Sequence, residues 1–279
     1  MRIYFFGDIH GNAAALEECL RQMDDLGTDG ACCLGDIAGW LPFGDRTLTR
    51  MRSLQIPSVA GNHDLLIAGA ITDHPRQIDR MQATAYNAGL LSTIPGALDY
   101  LLSLPLVIEG EGYVATHHSP FHLPPVGEPP DIGDFGYLDD AALAGCLQAW
   151  RAFPKRLILS GHDHIPAVYE LPDSVAAPEV KDVIVHQLAP MKSLTISLDP
   201  ASRYWVKAGS VGGPYRDGVP VANSVLYDSD SHQLTLMRRS YPREPLRREL
   251  ESNRFFRNIP AIRRYIQLLE SVDPTFQTG

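Results

Sequence analysis

Five times along the first two-thirds of the chain, a short apolar run ends at a small residue and passes directly into polar residues rich in Asp, His and Asn. Runs this short, bounded by glycine or another small residue, are typical of buried strands rather than of helices. In open α/β sheets, ligands collect beyond the carboxyl ends of strands, so five such ends predict one shared site. The five polar segments are Gly7-Asp8-Ile9-His10, Gly35-Asp36, Gly61-Asn62-His63-Asp64, Thr116-His117-His118 and Ser160-Gly161-His162-Asp163-His164.

Helical patterns lie between these runs, and strands that alternate with helices favour an α/β architecture. Residues 12–26 place apolar side chains on one stripe, with Asn12 as a suitable N-terminal cap, and Asp45–Leu54 and Asp139–Trp150 also have helical patterns. After Ile165 the pattern indicates additional strands of the same fold. They are Val168-Tyr169, Val183–Val185, Leu194–Leu198, Tyr204–Lys207, Ser224–Tyr227 and Leu234–Met237. Because no linker separates two regions, we predict a single domain over residues 1–279.

Two segments differ from this pattern. Ser119–Gly136 is rich in proline and follows a candidate site residue directly, so a functional lid and a passive surface loop are equally good interpretations. The tail at about 240–279 is rich in arginine, and Ala261–Leu269 has the periodicity of an amphipathic helix. We interpret the tail as a helix packed on its own domain, with contact to acidic partners as the alternative.

Charge and cysteine content limit the functional classes. A formal net charge of −9 disfavours unspecific nucleic-acid binding, whereas metal cations can reverse the local sign of an acidic pocket. The four cysteines show no CxxC spacing, which indicates buried free thiols in a reducing compartment. The apolar stretch Ile3–Phe6 is too short for a signal peptide or a membrane span, so we expect a cytoplasmic protein with no membrane partner. No residue pattern predicts an oligomeric state.

The residue types at the five strand ends suit a site with two metal ions. Imidazole and carboxylate ligands favour Mn, Fe, Zn or similar ions. In such a site, ions about 3.5–4 Å apart clamp the attacking and leaving oxygens of a phosphate ester, and metal-bound water becomes a nucleophile near neutral pH. One carboxylate must bridge the ions, and Asp36 is the natural candidate because it stands alone at its strand end.

The whole series resembles the calcineurin-like metallophosphoesterase superfamily. A later segment, Gly209-Ser210-Val211-Gly212-Gly213-Pro214 followed by Arg216-Asp217-Gly218, resembles a loop of its bacterial phosphodiesterase branch. The resemblance spans roughly residues 1–237 and implies a four-layer α/β/β/α sandwich of two mixed β-sheets flanked by helices.

The resemblance also implies a role for each site residue. One metal ion would be held by Asp8, His10 and His164, and the other by Asn62, His117 and His162. Asp36 would bridge them as a catalytic residue. His63 would bind no metal, but would stabilise the phosphoryl oxygens and protonate the leaving group, since histidine titrates near the working pH. His117 and His118 compete for one role, and strand alternation together with the family pattern favours His117.

Several positions depart from the family. Gly35-Asp36 lacks the Asp-Arg-Gly element of protein phosphatases, and the third motif ends in Asp64 instead of Glu. The Asp that would orient His63 and a nearby phosphate-binding Arg are therefore missing at the matching positions. Asp64 and Asp163 flank expected ligands, where orienting a ligand and forming an ordinary turn are equally good interpretations.

We expect an enzyme that hydrolyses a small phosphodiester with two divalent metal ions, Mn or Fe, with Zn or Ni as alternatives. A phosphomonoesterase acting on nucleotides or phosphoproteins is the alternative enzyme. A protein-binding scaffold of the same fold is the non-enzymatic alternative, disfavoured because every expected ligand type is present.

Overall fold

The computed structural model describes residues 1–125, 127–190 and 192–271. Within these residues the chain forms two β-sheets that pack face to face, with helices on both outer faces. The strands are β1 (Arg2–Phe6), β2 (Gly30–Cys33), β3 (Val107–Glu109), β4 (Tyr113–Thr116), β5 (Leu157–Ser160), β6 (Ala167–Pro172), β7 (Ile184–Gln187), β8 (Leu194–Ser197), β9 (Ser202–Lys207), β10 (Ala222–Asp228) and β11 (Gln233–Arg239). The helices are α1 (Ala13–Asp25), α2 (Gly44–Leu54), α3 (Asn62–Ile67), α4 (Ile78–Leu91), α5 (Ala97–Ser103), α6 (Asp140–Ala152), α7 (Glu244–Ser252) and α8 (Pro260–Ser271).

Both sheets are mixed. The first has the order β2-β1-β10-β11-β8, and only β1 and β2 run parallel, with Ile3 paired to Gly30. The second has the order β3-β4-β5-β9-β6-β7, in which β4, β5 and β9 are parallel neighbours. The parallel strands β1, β2, β4 and β5 are the ones whose carboxyl ends carry predicted site residues, so the mixed topology brings four of the five polar segments to one region.

Three apolar clusters account for the layers. Phe5, Leu159 and Val206 belong to the cluster between the two sheets. On the first sheet's outer face, Leu16 of α1 packs with the C-terminal helices, and on the second sheet's outer face Trp150 of α6 is fully buried. This arrangement confirms the four-layer α/β/β/α sandwich.

The sequence patterns predicted most of these elements within two or three residues. Helix α1 begins where expected, and the Asn12 side chain accepts a hydrogen bond from the backbone of Ala15 at 3.1 Å. Cys32 and Cys33 lie on opposite faces of β2, in different clusters, and all four cysteines are free and buried.

One predicted strand is wrong. Residues 58–60 form no strand and make a single bridge between Ser58 and Cys33. The backbone N–H of Val59 bonds to Cys33, but that of Ala60 bonds to Pro105, so the segment leaves the sheet after one pairing. Helix α3 then begins at once, and the third polar segment is a helix N-terminus instead of a strand end.

The C-terminal tail forms α7 and α8, and Ile262, Tyr265 and Leu269 of α8 are buried against the first sheet's helical layer as the periodicity predicts. Ile266 is half-buried. The final part of the predicted tail, residues 272–279, lies outside the described residues, and the single-domain prediction stays a prediction. Among the described residues, no helix combines the length and apolar character that crossing a membrane requires.

Candidate metal centre

A first group of buried ligand atoms lies where β1, β2 and β5 end. Asp8, His10, Asp36 and His164 each offer one atom, and these atoms all lie within 4.8 Å of one another. The closest approaches are 3.1 Å between His164 Nε2 and Asp8 Oδ1 and 3.1 Å between His10 Nε2 and His164 Nε2. Asp36 Oδ2 is 3.4 Å from His10 Nε2.

A second group adjoins the first at Asp36. His117 Nε2 lies 3.2 Å from Asn62 Oδ1, 3.2 Å from His162 Nδ1 and 3.3 Å from Asp36 Oδ2. Asp36 therefore contacts a histidine of each group, which is the position that a bridging carboxylate requires.

Hydrogen bonds to carbonyl oxygens set which nitrogen of three of these histidines faces the centre. His117 Nδ1 donates to Leu34 O at 2.7 Å, and His164 Nδ1 donates to Pro214 O at 2.7 Å. His162 Nε2 donates to Phe135 O at 3.1 Å. A carbonyl oxygen can only accept, so in each neutral ring the nitrogen facing the centre carries a lone pair.

Lone pairs and carboxylate oxygens that face each other at about 3 Å repel unless a cation or a proton lies between them. Donation of the other ring N–H to a carbonyl is also the usual arrangement of metal-bound histidine. The residues present therefore fit divalent metal ions, and the donor set of imidazole nitrogen and carboxylate or amide oxygen suits transition metals.

The charges of the centre shift its pKa values strongly. Burial alone would raise the pKa of Asp36, but the imidazoles of His117, His63 and His10 around it hold that pKa well below its usual range. Burial opposes protonation of His117, but the Asp36 carboxylate and its hydrogen bond raise the pKa of His117 to about 9. Because metal ligands must be deprotonated, a metal ion bound at this nitrogen would displace a proton.

Backbone strain is concentrated at this centre. Within the described residues, seven non-glycine residues have positive φ, and five of them are predicted metal ligands. Such left-handed conformations cost about 1–3 kcal/mol each and persist where the surrounding structure imposes them. These five are Asp8 (51°), His10 (51°), Asp36 (54°), His162 (67°) and His164 (60°). Each lies in a tight turn after a strand, which aims its side chain back over the strand end.

Asp64 positions the backbone that carries Asp36. Its carboxylate is fully buried and accepts hydrogen bonds from the N–H groups of Asp36 (2.8 Å), Ile37 (2.9 Å) and Gly61 (3.1 Å). Of the two interpretations of Asp64, orientation of a ligand is the one that this geometry supports. Asp163 has a different arrangement, because it forms a buried ion pair with Lys207.

His63 lies beside the two groups without belonging to either. Its ring contacts that of His10 edge-on, with centroids 4.6 Å apart, and lies 5.5 Å from the Trp40 ring. Its Nδ1 is buried and has no hydrogen-bond partner within the described residues. Burial and, to a smaller extent, the Arg80 cation lower the pKa of His63 to about 4, against the opposing charge of Asp36.

The two adjacent histidines have different surroundings. His117 faces the centre, whereas His118 is buried against Phe135, with ring centroids 4.4 Å apart, and its Nε2 is 3.5 Å from the carbonyl oxygen of His122. All eight predicted site residues thus come together around Asp36, while their roles as ligands stay predictions.

Some residues around the centre gave no clear signal in the sequence. Tyr137 stacks on His162 with centroids 4.8 Å apart, and Arg216 lies over Tyr137. Arg80 belongs to a helix that the sequence patterns did not predict. Only Arg216 lay in a segment that the family resemblance had singled out.

Residues 1–186 match the family model described as calcineurin-like phosphoesterase. The chain belongs to this family. An uncharacterized protein of Methanocaldococcus jannaschii is 28% identical over 260 residues, which cover 90% of this chain and 93% of that protein. The solved structure of a metallophosphoesterase from Sphaerobacter thermophilus superposes with a TM-score of 0.71 at 26% identity, covering 97% of this chain and 99% of that one. A hypothetical protein from Pyrococcus horikoshii shares the fold, with a TM-score of 0.63 at 17% identity over 96% of this chain and 97% of that one.

Family membership and the buried acceptor cluster agree. A calcineurin-like phosphoesterase with Asp8, His10, Asp36 and His164 at one point has the features of a metal-dependent phosphoester hydrolase that binds divalent metal ions.

Proposed function

We propose that this calcineurin-like phosphoesterase hydrolyses a phosphodiester bond in a small molecule, using two divalent metal ions. The observation that carries the proposal is the contact of one buried carboxylate, Asp36, with a histidine of each ligand group. Asp8, His10 and His164 would hold one ion, and Asn62, His117 and His162 the other. Mn or Fe is the proposed metal, and Zn or Ni is the alternative, since all four accept nitrogen and oxygen ligands.

Two cations at these positions would polarise the phosphoryl oxygens and make a water molecule acidic enough to attack near neutral pH. The protein supplies the rest of the chemistry. The backbone N–H of His63 donates to Asp36 Oδ1 at 2.8 Å, which ties the position of His63 to the shared carboxylate. His10 and Trp40 pack against the ring and set its orientation.

His63 is the proposed general acid. Burial, together with Arg80 and the neighbouring imidazoles, lowers the pKa of this ring to about 4, and a negatively charged phosphate beside the ring would raise that pKa. The protonated ring then stabilises a phosphoryl oxygen and transfers its proton to the leaving oxygen. The otherwise unpaired Nδ1 agrees with a nitrogen whose partner is the substrate.

The preference for a diester rests on charge. A diester carries one negative charge and a monoester carries about two at neutral pH, so a monoesterase needs more cations around the scissile phosphate. The chain lacks the Asp-Arg-Gly arginine, and Arg80, which lies near His63, is already paired with Asp73. A phosphomonoesterase remains the alternative, because Arg80 still provides a cation near His63.

Hydrolysis of bis-para-nitrophenyl phosphate and of para-nitrophenyl phosphate tests the proposal. We expect protein that has been stripped of metal and reloaded with Mn to cleave the diester faster. The His63→Ala variant should lose about 10²–10⁴-fold in kcat. The exposed His74 provides a matched control, and His74→Ala should retain full activity.

Three results would count against the proposal. Faster cleavage of the monoester would favour the monoesterase. Unchanged activity in His63→Ala and Asp36→Asn would show that another site is responsible. Two bound metal ions without cleavage of either ester would favour the scaffold.

The cytoplasm is the proposed location. Four buried cysteines without a disulfide among them suit a reducing compartment.

A further inference from the structure

The residue directly after the proline-rich segment places an aromatic ring on a predicted metal ligand. Tyr137 stacks almost parallel on His162, with an interplanar angle of 18°. The ring is 44% exposed, so it forms part of the wall between the metal centre and solvent. The guanidinium carbon of Arg216 lies 3.9 Å from the centroid of Tyr137, and Arg216 Nη2 donates to the Tyr137 hydroxyl.

Arg216 is an exposed cation. It forms no ion pair within the described parts of the chain, and its neighbour Asp217 is bound instead by the buried Arg238 at 2.7 Å. The stack on Tyr137 holds the exposed guanidinium in place, which lowers the entropy cost of binding an anion. Such an arginine presents its remaining N–H groups as a fork that suits phosphate.

Helix α4 carries a second guanidinium, that of Arg80. Asp73 binds Nε and Nη2 of Arg80, and Nη1 has no hydrogen-bond partner in the part of the chain that the structure describes. Burial opposes the charge of Arg80, but Asp73 raises the pKa of Arg80, and the Tyr137 phenol and the Asp36 carboxylate raise it further. Asp73 therefore neutralises Arg80, whereas Arg216 has no carboxylate partner among the described residues.

We propose that Arg216, held on the ring of Tyr137 beside the predicted ligand His162, binds a second anionic group of the substrate. The preferred substrate is then a phosphodiester that carries a further phosphate away from the scissile bond. This inference rests on the proposed diesterase function, in which the metal ions would take the scissile phosphate and leave Arg216 for another anion.

A matched pair of substrates tests the subsite. Deoxythymidine 5′-(para-nitrophenyl phosphate) and its 3′-phosphorylated derivative share the scissile diester and the leaving group, and differ by one phosphate. We expect the 3′-phosphorylated compound to have a KM at least about 10-fold lower, because a guanidinium–phosphate contact adds charge-assisted hydrogen bonds. Arg216→Gln should bring the two KM values together.

Two variants separate the charge from the geometry. Arg216→Lys keeps the charge but loses the planar fork, so it should restore only part of the KM difference. Arg76→Gln removes an exposed arginine just before α4 and should leave the KM ratio at its wild-type value. An Arg76 effect equal to that of Arg216 would reduce the preference to long-range attraction and overturn the subsite.

A binding measurement without catalysis distinguishes failure of the subsite from failure of the proposed function. Calorimetry on Mn-loaded protein would compare deoxythymidine 3′,5′-bisphosphate with deoxythymidine 5′-monophosphate, neither of which contains a diester. Tighter binding of the bisphosphate that disappears in Arg216→Gln supports the subsite even if no form of the protein cleaves a diester. Cleavage of both diesters with equal KM, together with equal affinity for both nucleotides, would overturn the subsite and leave the proposed function standing.

Discussion

Alanine at position 61 should displace the residue on which both ligand groups depend. Gly61 has φ −92° and ψ 165°, a conformation that alanine adopts without strain. The Cβ atom would, however, lie 2.0 Å from Asp36 Oδ1 and 2.4 Å from Asp36 N. Ordinary contacts of Cβ begin at 3.4 Å, so Asp36 and Gly61 must separate by more than about 1 Å.

Asp36 has little freedom to make this shift. Its N–H is bound to Asp64 at 2.8 Å, and its Oδ1 accepts from the N–H of His63 at 2.8 Å. Overpacking of a rigid site costs about 1–3 kcal/mol in the free energy of unfolding. A displacement of about 1 Å at a reacting centre costs about 100-fold in rate. We therefore expect Gly61→Ala to lose both stability and metal-dependent diester cleavage.

Gly145 provides a control of opposite sign. It is exposed in the middle of α6, and a Cβ atom added there would have no other atom within 4 Å. Gly145→Ala should stabilise the protein by about 0.5–1 kcal/mol, because alanine loses less backbone entropy in a helix, and should leave activity unchanged. Urea unfolding followed by circular dichroism, Mn titration and kcat for bis-para-nitrophenyl phosphate would be measured for both variants. Wild-type stability and Mn affinity in Gly61→Ala would refute the close approach of Gly61 to Asp36.

Two other predictions concern buried groups away from the metal ligands. The fully buried Asn87 donates to the carbonyl oxygens of Gly39 (2.7 Å) and Leu41 (3.2 Å). Asn87→Leu should leave both carbonyl oxygens unpaired and lower the free energy of unfolding by about 2–4 kcal/mol. An unchanged urea midpoint would contradict these hydrogen bonds. The four buried cysteines should not react with Ellman's reagent at pH 8 in native protein and should all react in 6 M guanidinium chloride. Burial raises the pKa of Cys19 and Cys32 to about 12, that of Cys146 to about 11 and that of Cys33 well above its usual value. Fast labelling of the native protein would show that one of the thiols is accessible.

The features that could be predicted from the sequence are those with a local cause. Short apolar runs that end in Asp or His mark strand ends, and a helical stripe capped by Asn12 marks α1. The helices α3, α4 and α5 were missed, and one strand was assigned wrongly at residues 58–60. At residues 58–60 the pairing depends on which carbonyl oxygen accepts the N–H of Ala60. That oxygen belongs to Pro105, 45 positions along the chain.

The surroundings of the site depend on contacts between distant segments. Asp64 stands next to a predicted catalytic residue in the sequence, but its function follows from the N–H groups of a different loop, at positions 36 and 37, turning toward its carboxylate. The stack of Tyr137 on His162 likewise joins the residue after the proline-rich segment to the end of β5. No periodicity or spacing encodes such contacts, whereas the motifs give the residue types of the predicted metal ligands directly.

The part of the chain beyond the family match completes the site. The match ends at residue 186, yet His164 is held by the carbonyl of Pro214, and the Asp8 carbonyl accepts from the N–H of Gly212 at 2.9 Å. Gly212 is bound in turn by the buried hydroxyl of Tyr265 in α8, at 2.7 Å. The C-terminal tail was predicted to be a helix packed on its own domain. Through Tyr265 it also supports the loop behind the ligands of the first group. Because Arg216 follows in the same loop, residues outside the matched region both fix the ligand geometry and carry the proposed substrate selectivity.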